Sequence, residues 1–522
     1  MKRRITFVQP DNAPFDKSQA ELTASALSVR ALDAAREDRI TVGLDELPEE
    51  LRTVLQQSHE LHLRWSTERS YNAIAPFASR VSPGLHVFYT PLSSDRSSET
   101  LCPLLRAVFG DGVDCANPEE SFITPPLLST RFAASATLQF HTRLPSLEQL
   151  VDYIRRTACE QRKDRACLDN AHSLLSADSL DIDYDSISHT LTLTGLWTSP
   201  PSGGWTEEIR KPTSGADQVE FGILSGDKAV DLEDLKMGGL LAVVGKDKKL
   251  KPTMFSFPSR HHPLPKEASY TISFPPPTGL HPTLSISMPQ SSLQRPPAPE
   301  YATCALHTYL TLPSTVFGDQ YQLGTSDSLF LQSHNLVALR ALAGETDLEA
   351  PDWVIPRWGS TWLLELATPQ AESTEVNWTA TIPLHLRYLD PSESGYRPAD
   401  IPWPVVFWAC TAEDGTKMGT NPFDRTNLGW DGLFGPRTMF FQLHPSSSSS
   451  STAAAKLVEH IDVPVLRLRG AEGLFQARNI ELGTVLVVGL GFLWVVLRLV
   501  RVAWSFGVGS KRHGGTLHTK KD

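Results

Sequence analysis

Residues 180–194 read Leu-Asp-Ile-Asp-Tyr-Asp-Ser-Ile-Ser-His-Thr-Leu-Thr-Leu-Thr, two runs of strict alternation around the polar stretch Asp185–His189. A side-chain period of two belongs to a β-strand, and two such runs joined by turn-forming residues predict a hairpin. The same signature recurs downstream. Strands are expected at Leu240–Val244, Tyr270–Phe274, Leu284–Ser287, Tyr309–Leu312, Trp362–Leu366, Trp378–Leu386 and Val405–Trp408. Many short strands separated by turn residues predict a mainly β, sandwich-like body over residues 179–445. Its proline- and serine-rich stretch 251–299 is expected to be a surface connection.

Upstream, residues 1–178 are mixed. Ile5–Val8, Leu61–Trp65 and Leu85–Tyr89 alternate like strands, Pro48–Leu51 opens a helix, and Leu147–Cys159 is amphipathic. A mixed α/β N-terminal domain is the expectation. The six cysteines are Cys102, Cys115, Cys159, Cys167, Cys304 and Cys410, with no C-x-x-C pair to suggest zinc or redox chemistry. An even count permits disulfides without requiring them. If the helix at 147–159 runs on, Cys159 and Cys167 lie about 12 Å apart along it, too far to bridge.

Downstream, Ser446–Ser451 marks a linker that leads through 446–481 to the uncharged run Leu482–Leu497, LGTVLVVGLGFLWVVL. Continued through Arg498 to Val500 it makes roughly 28 Å of helix at 1.5 Å per residue, enough for a thin bilayer of about 27 Å. A transmembrane helix over 482–502 is therefore expected, followed by a tail at 503–522. Arg498, Arg501, Lys511, Arg512, Lys520 and Lys521 follow the run, whereas only Arg467, Arg469 and Arg478 precede it closely. The positive-inside bias puts the tail in the cytosol and the body in the lumen. The sequon Asn377-Trp378-Thr379 agrees with that orientation. The N-terminal Met1–Asn12, by contrast, holds too short an apolar run for a signal peptide, so a tail-anchored protein with a cytosolic body is the competing reading.

Chemistry-bearing patterns are few. Asp181-x-Asp183 resembles the two-carboxylate metal site of sugar-nucleotide glycosyltransferases, but the same residues suit a strand with one wet face. Gly239–Lys246 lacks the spacing and hydroxyl of a phosphate loop and is expected to be a strand ending in a charged turn. His261-His262 is adjacent, without a spacing that aims both rings at one metal. No spacing nominates a catalytic triad, no cofactor is implied, and a net charge of -11 without a basic stripe argues against nucleic acid.

Several segments together resemble one known family. They are Thr311–Phe317 leading to Asp319–Tyr321, Ile382–Leu389 with Gly395-Tyr396, Trp403–Cys410, Gly429–Gly435, and upstream Arg4–Val8 and Val42–Pro48. The chain is similar to the PIG-X family, and more closely to its fungal Pbn-type members, over nearly its whole length. That resemblance implies a non-catalytic subunit of glycosylphosphatidylinositol-mannosyltransferase I in the endoplasmic reticulum membrane. Such a subunit stabilises the multi-spanning, PIG-M-like catalytic subunit that adds the first mannose to the GPI precursor. A wider chaperone role for other proteins of that compartment is also implied, with a lumenal body and a cytosolic tail. Trp403, Phe407 and Trp408 are the candidate partner contacts, with at least one of them expected in the core. Gly483, Gly489 and Gly491 would let another helix approach the anchor closely.

Overall fold

The hairpin is formed as the alternation predicts. Ser179–Asp185 and Thr190–Trp197 pair antiparallel with Asp185 opposite Thr190. Asp185 builds the turn: its carboxylate accepts the amides of Ile187 and Ser188 at 2.9 and 2.8 Å, and His189 takes the left-handed conformation at φ 50°. This computed structural model describes every residue except 11–15, 93–98, 127–136, 161–164, 213, 370–376, 413–422, 424–427, 447–454, 468–475 and 510–522. The described chain divides into two compact units, residues 1–389 with 398–461, and residues 390–397 with 462–522.

In the first unit the hairpin sits inside a ten-stranded sheet. In spatial order its strands are Lys251–Pro258, Asp234–Val243, Gln218–Asp227, Lys2–Gln9, Ala35–Gly43, Thr190–Trp197, Ser179–Asp185, Ser58–Ser66, Gly84–Pro91 and Leu138–Thr142. Every neighbouring pair is antiparallel except Lys2–Gln9 with Gln218–Asp227, which is parallel. A parallel pair needs a long crossover, and here the crossover contains most of the sheet. The sheet takes strands from both sides of residue 178/179, so no sheet edge falls at that expected boundary. Residues 251–299, expected to be a connection, instead carry Lys251–Pro258, His261–Pro263, Ser269–Ser273 and Thr283–Pro289. Their prolines stand at strand ends or next to them, where a missing N–H costs no interior ladder bond.

One face of this sheet carries two covers side by side, since Ile5, Leu180 and Trp65 stand in one cross-strand row. Helices Leu101–Phe109, Glu148–Ile154 and Arg165–Ser173 bury Leu101, Leu105, Leu150 and Val151 against Leu63, Val87, Phe140 and Leu180. A three-stranded sheet of Trp205–Arg210, Ala26–Leu32 and Ala20–Leu22 packs Leu27, Val29 and Ile209 on Ile5, Phe7 and Phe221. The turn after Asp234–Val243 is charged, as expected: Asp247 accepts the Val243 amide at 2.8 Å and pairs with Lys251.

The sandwich-like half comprises a six-stranded sheet and a four-stranded one. The six run His261–Pro263, Thr438–Gln442, Val405–Thr411, Thr303–Pro313, Gly359–Leu366 and Leu336–Gly344. The four run Asn377–Pro383, Thr283–Pro289, Ser269–Ser273 and His444–Pro445. The chain passes from one sheet to the other at 442–444, and again between 263 and 269. Side chains tie them, the Trp408 indole donating to Ser292 O at 3.0 Å and the Tyr270 hydroxyl to Pro404 O at 2.7 Å. Both faces of Gly359–Leu366 are buried, Trp362 and Leu364 on one and Leu363 on the other.

All six cysteines are bridged, Cys102–Cys115, Cys159–Cys167 and Cys304–Cys410. The second pair corrects the expected separation. The helix does not continue: Glu148–Ile154 loosens into a wider turn at Arg155–Cys159, a new helix starts at Arg165, and the two Cα atoms stand 5.4 Å apart. Cys304 and Cys410 are direct cross-strand partners.

In the second unit, Arg397 Nε donates to Asp390 O at 2.7 Å and the Val465 amide to Gly395 O at 3.0 Å. The helix Ala477–Gly509 completes this unit. The fold is mainly β, with mixed α/β parts and one C-terminal apolar helix.

Candidate functional site

The apolar helix is the first functional element. The stretch long and apolar enough to cross a membrane is Arg478–Trp504, 27 residues with none of its apolar window buried. It is longer than the expected 482–502. Leu482, Leu497, Arg498 and Val500 all lie on it, and the Arg498 guanidinium sits 5.3 Å over the Trp494 ring. A cation held on an indole suits the membrane–water boundary, where Trp and Arg both concentrate. Gly483, Gly489 and Gly491 have open space where a Cβ would stand. The basic residues Lys511, Arg512, Lys520 and Lys521 lie outside the described residues.

Asp181 and Asp183 are the second candidate, and the strand opposite decides their role. His62-Leu63-Arg64 on Ser58–Ser66 faces them in register, Arg64 against Asp181 and His62 against Asp183. Arg64 Nε donates to Asp181 Oδ1 at 2.6 Å, with both side chains buried. His62 Nδ1 bonds Asp183 Oδ1, and His62 Nε2 lies 3.6 Å from Asp181. The face expected to be wet therefore buries Asp181 at 2% exposure. A divalent cation there would have to displace Arg64 from a buried pair. Among the described residues no group of three His, Cys, Asp or Glu side chains is arranged to hold a metal ion.

Two further histidines, His86 and His141, face each other in the same sheet with ring centroids 4.6 Å apart. Each donates Nε2–H to a backbone carbonyl, His86 to Ser82 at 2.8 Å and His141 to Pro83 at 3.0 Å. Burial holds His86 well below the ordinary histidine range and His141 down to about 4, so both are neutral at physiological pH. His261 and His262 are likewise buried among aromatic rings, His261 against Phe440 and His262 against Phe441. They are core histidines.

The aromatic trio expected to meet a partner is buried. Trp403, Phe407 and Trp408 are 5%, 0% and 5% exposed. Phe407 stacks on Trp430 at 4.2 Å and meets Phe440 edge-on, while the Trp403 indole donates to Glu459 at 3.0 Å. Closely spaced aromatics read as a sticky surface, yet Phe407 and Trp408 are successive residues of Val405–Thr411, a strand buried on both faces. Large apolar groups that do reach solvent stand elsewhere, among them Tyr321, Leu329, Trp353, Val354 and Tyr388. Trp353 and Tyr388 belong to one built corner. Asp352 donates its amide to Tyr388 O, and the buried Arg387 donates to Asp347 O and Ala350 O at 2.6 and 2.8 Å. Set in the short runs Trp353–Ile355 and Tyr388-Leu389, Trp353, Val354 and Tyr388 carry no periodicity that marks them.

Asn377 is exposed and opens the edge strand Asn377–Pro383 of the four-stranded sheet. Its sequon partner Thr379 shares a hydrogen bond with Ser287 at 3.0 Å.

The family description PIG-X / PBN1 matches residues 277–500, which takes in three strands of the four-stranded sheet, most of the six-stranded sheet and most of the anchor. "Protein pbn1" of Aspergillus oryzae is 60% identical, the match covering 98% of each chain. The chain belongs to the PIG-X/PBN1 family. Other members of this family are similar over as much of the chain. "Protein pbn1" of Emericella nidulans is 59% identical over 97% of each chain. That of Neurospora crassa is 43% identical over 98% of this chain and 96% of the relative. The N-terminal ten-stranded sheet is thus as much a part of these PIG-X/PBN1 relatives as the segment the family description covers.

Proposed function

We propose that this chain works in GPI-anchor biosynthesis as a non-catalytic subunit of glycosylphosphatidylinositol-mannosyltransferase I, stabilising the PIG-M-like catalytic subunit in the endoplasmic reticulum membrane. The observation that carries this reading is full-length membership of the PIG-X/PBN1 family. Support also comes from the D-x-D pair, whose Asp181 is spent on Arg64 rather than free for a sugar nucleotide. A partner that binds only the folded catalytic subunit raises its folded fraction by mass action and slows its degradation. A wider chaperone role for other proteins of the compartment belongs to the same reading.

The orientation proposed is a lumenal body with a cytosolic tail. Three bridges that use every cysteine suit an oxidising compartment and disfavour a tail-anchored cytosolic body. The exposed sequon at Asn377 supports the same side. In this reading the contacts to the partner come from the unburied faces of the anchor and from exposed groups such as Trp353 and Tyr388, since Trp403, Phe407 and Trp408 are core.

Depletion of the chain should lower the abundance of the catalytic mannosyltransferase while its transcript stays level; unchanged abundance sinks the proposal. A glycosidase-sensitive mass shift that disappears in Asn377→Gln tests the orientation. No shift in the native chain would remove the glycan from the argument and leave the orientation resting on the disulfides.

A further inference from the structure

Behind the Arg64–Asp181 pair lies a chamber of about 10 Å³, room for one water-sized body. Its polar lining is Arg64, Tyr71, Ser79, Arg80, Ser179 and Asp181. Its arginine donors are under-partnered. Asp181 gives one carboxylate oxygen to Arg64 Nε, and Arg64 Nη1 and Nη2 are buried without a hydrogen-bond partner among the described residues. Arg80 is 7% exposed, and among the described residues no carboxylate lies within ion-pair distance of it. Its guanidinium donates only to neutral acceptors, Tyr71 O at 2.9 Å, Leu443 O at 3.1 Å and His444 Nδ1 at 3.0 Å. Burial and the neighbouring Arg80 hold His444 down to about 4, so it brings no charge. Asp178, the next acid along the strand, spends its carboxylate on the amide and hydroxyl of Thr198, at 2.7 Å each. His62 is engaged by Asp183. Among the described residues the two guanidiniums thus have one carboxylate, Asp181, within ion-pair distance, and a buried charge short of partners is costly.

We propose that this chamber is a site for one monatomic anion, a halide, held between Arg64 and Arg80 beside Tyr71, Ser79 and Ser179. A water-sized space suits a single monatomic anion better than a tetrahedral oxyanion, and a neutral water would bring no charge to the two guanidiniums. The site stands at a structural junction. Arg80 exchanges backbone hydrogen bonds with the side chain of Gln442 at 2.7 and 2.9 Å, and Gln442 lies in the six-stranded sheet, while Arg64 and Ser179 lie in the ten-stranded one. A bound halide thus links the two sheets through Arg80.

The test is thermal unfolding of the full-length chain in detergent micelles, in sodium chloride, bromide and gluconate at matched ionic strength. Chloride and bromide should raise the midpoint by a few degrees in a saturable way, and gluconate, which cannot enter, should not. Arg80→Gln should abolish the halide response. Should that variant fail to fold, Ser79→Val, which narrows the chamber and keeps both arginines, should weaken the response instead. A bromide anomalous peak between Arg64 and Arg80 would identify the occupant. Equal midpoints in chloride and gluconate mean water alone and overturn the proposal. So does a halide response of undiminished size in the folded variants, which would place the binding elsewhere.

Discussion

At Asp181 a single carboxylate separates a structural account from an enzymatic one. Removing one partner of a buried ion pair leaves the other charge stranded, at a cost of about 3–5 kcal/mol. Asp181→Asn should therefore lower stability by roughly that much in chemical denaturation. Asp183→Asn, at a side chain 44% exposed, should cost under about 1 kcal/mol. A metal site would give the opposite pattern, in which both variants lose activity and neither loses much stability. The residue scale also shows where sequence reading stops. Asp181-x-Asp183 was visible as a motif, and its alternation with Leu180, Ile182 and Tyr184 located the strand. Its meaning lay in His62-x-Arg64, more than a hundred residues away, and register between distant strands is set by the sheet rather than by either local sequence. His141 offers a second residue-scale outcome. Its folded-state value of about 4 lies below the unfolded value near 6.5, so the unfolded chain binds the extra proton. Stability should hold above pH 6.5 and fall as pH drops toward 4, by about 1.6 kcal/mol between 6.5 and 5 from this histidine. Denaturation midpoints across that range measure it, and a flat profile would contradict the neutral, buried assignment.

Among elements, the strand pair Thr303–Pro313 and Val405–Thr411 is held by backbone ladder, core and disulfide together. Cys304 and Cys410 close a loop of 106 residues, Cys159 and Cys167 one of 8. Loop-closure entropy then gives about 4.7 kcal/mol for the long bridge and about 2.5 for the short one. Replacing each pair by alanines and comparing denaturation midpoints should reproduce that order. A second element-scale outcome concerns Gly359, which opens Gly359–Leu366 at φ 150°. A Cβ there would stand 2.0 Å from Leu312 O, so Gly359→Ala must open the ladder to Thr303–Pro313 and should be severely destabilising. The strands with clean alternation or dense β-branched and aromatic content were legible. Gln218–Asp227 and Lys251–Pro258 were not, because Gly, Ser, Lys and Pro dilute their pattern, and their strand character comes from neighbours across the sheet. The helical stretch at 147–159 was legible at both ends, whereas the Cys159–Cys167 bridge beyond it is a tertiary contact that no local propensity encodes.

For the whole molecule, two units meet different solvents. The apolar cores of residues 1–461 lie within that unit, while the helix beyond has its apolar side chains exposed on every face. A chain truncated after residue 476 should leave the membrane fraction on alkaline washing yet keep its three bridges, seen as a mobility shift on non-reducing gels. Loss of the bridges would mean that the body depends on its anchor to fold. The sandwich-like half was foreseeable from alternation and turn spacing. The ten-stranded sheet was not, since its parallel contact joins residues 2–9 to 218–227 and only the complete topology reveals it.

That strand order also imposes a timetable on synthesis. Lys2–Gln9 lies at the middle of its sheet but waits for Gln218–Asp227, and Val405–Thr411 waits for Thr438–Gln442 before its sheet is complete. At about 5–20 residues per second, roughly 20–90 s separate the emergence of the first strand from that of the last. Exposed apolar edges persist throughout, and the apolar helix is made only afterwards. A protein proposed to protect others during folding is therefore itself long in need of protection while it is being made.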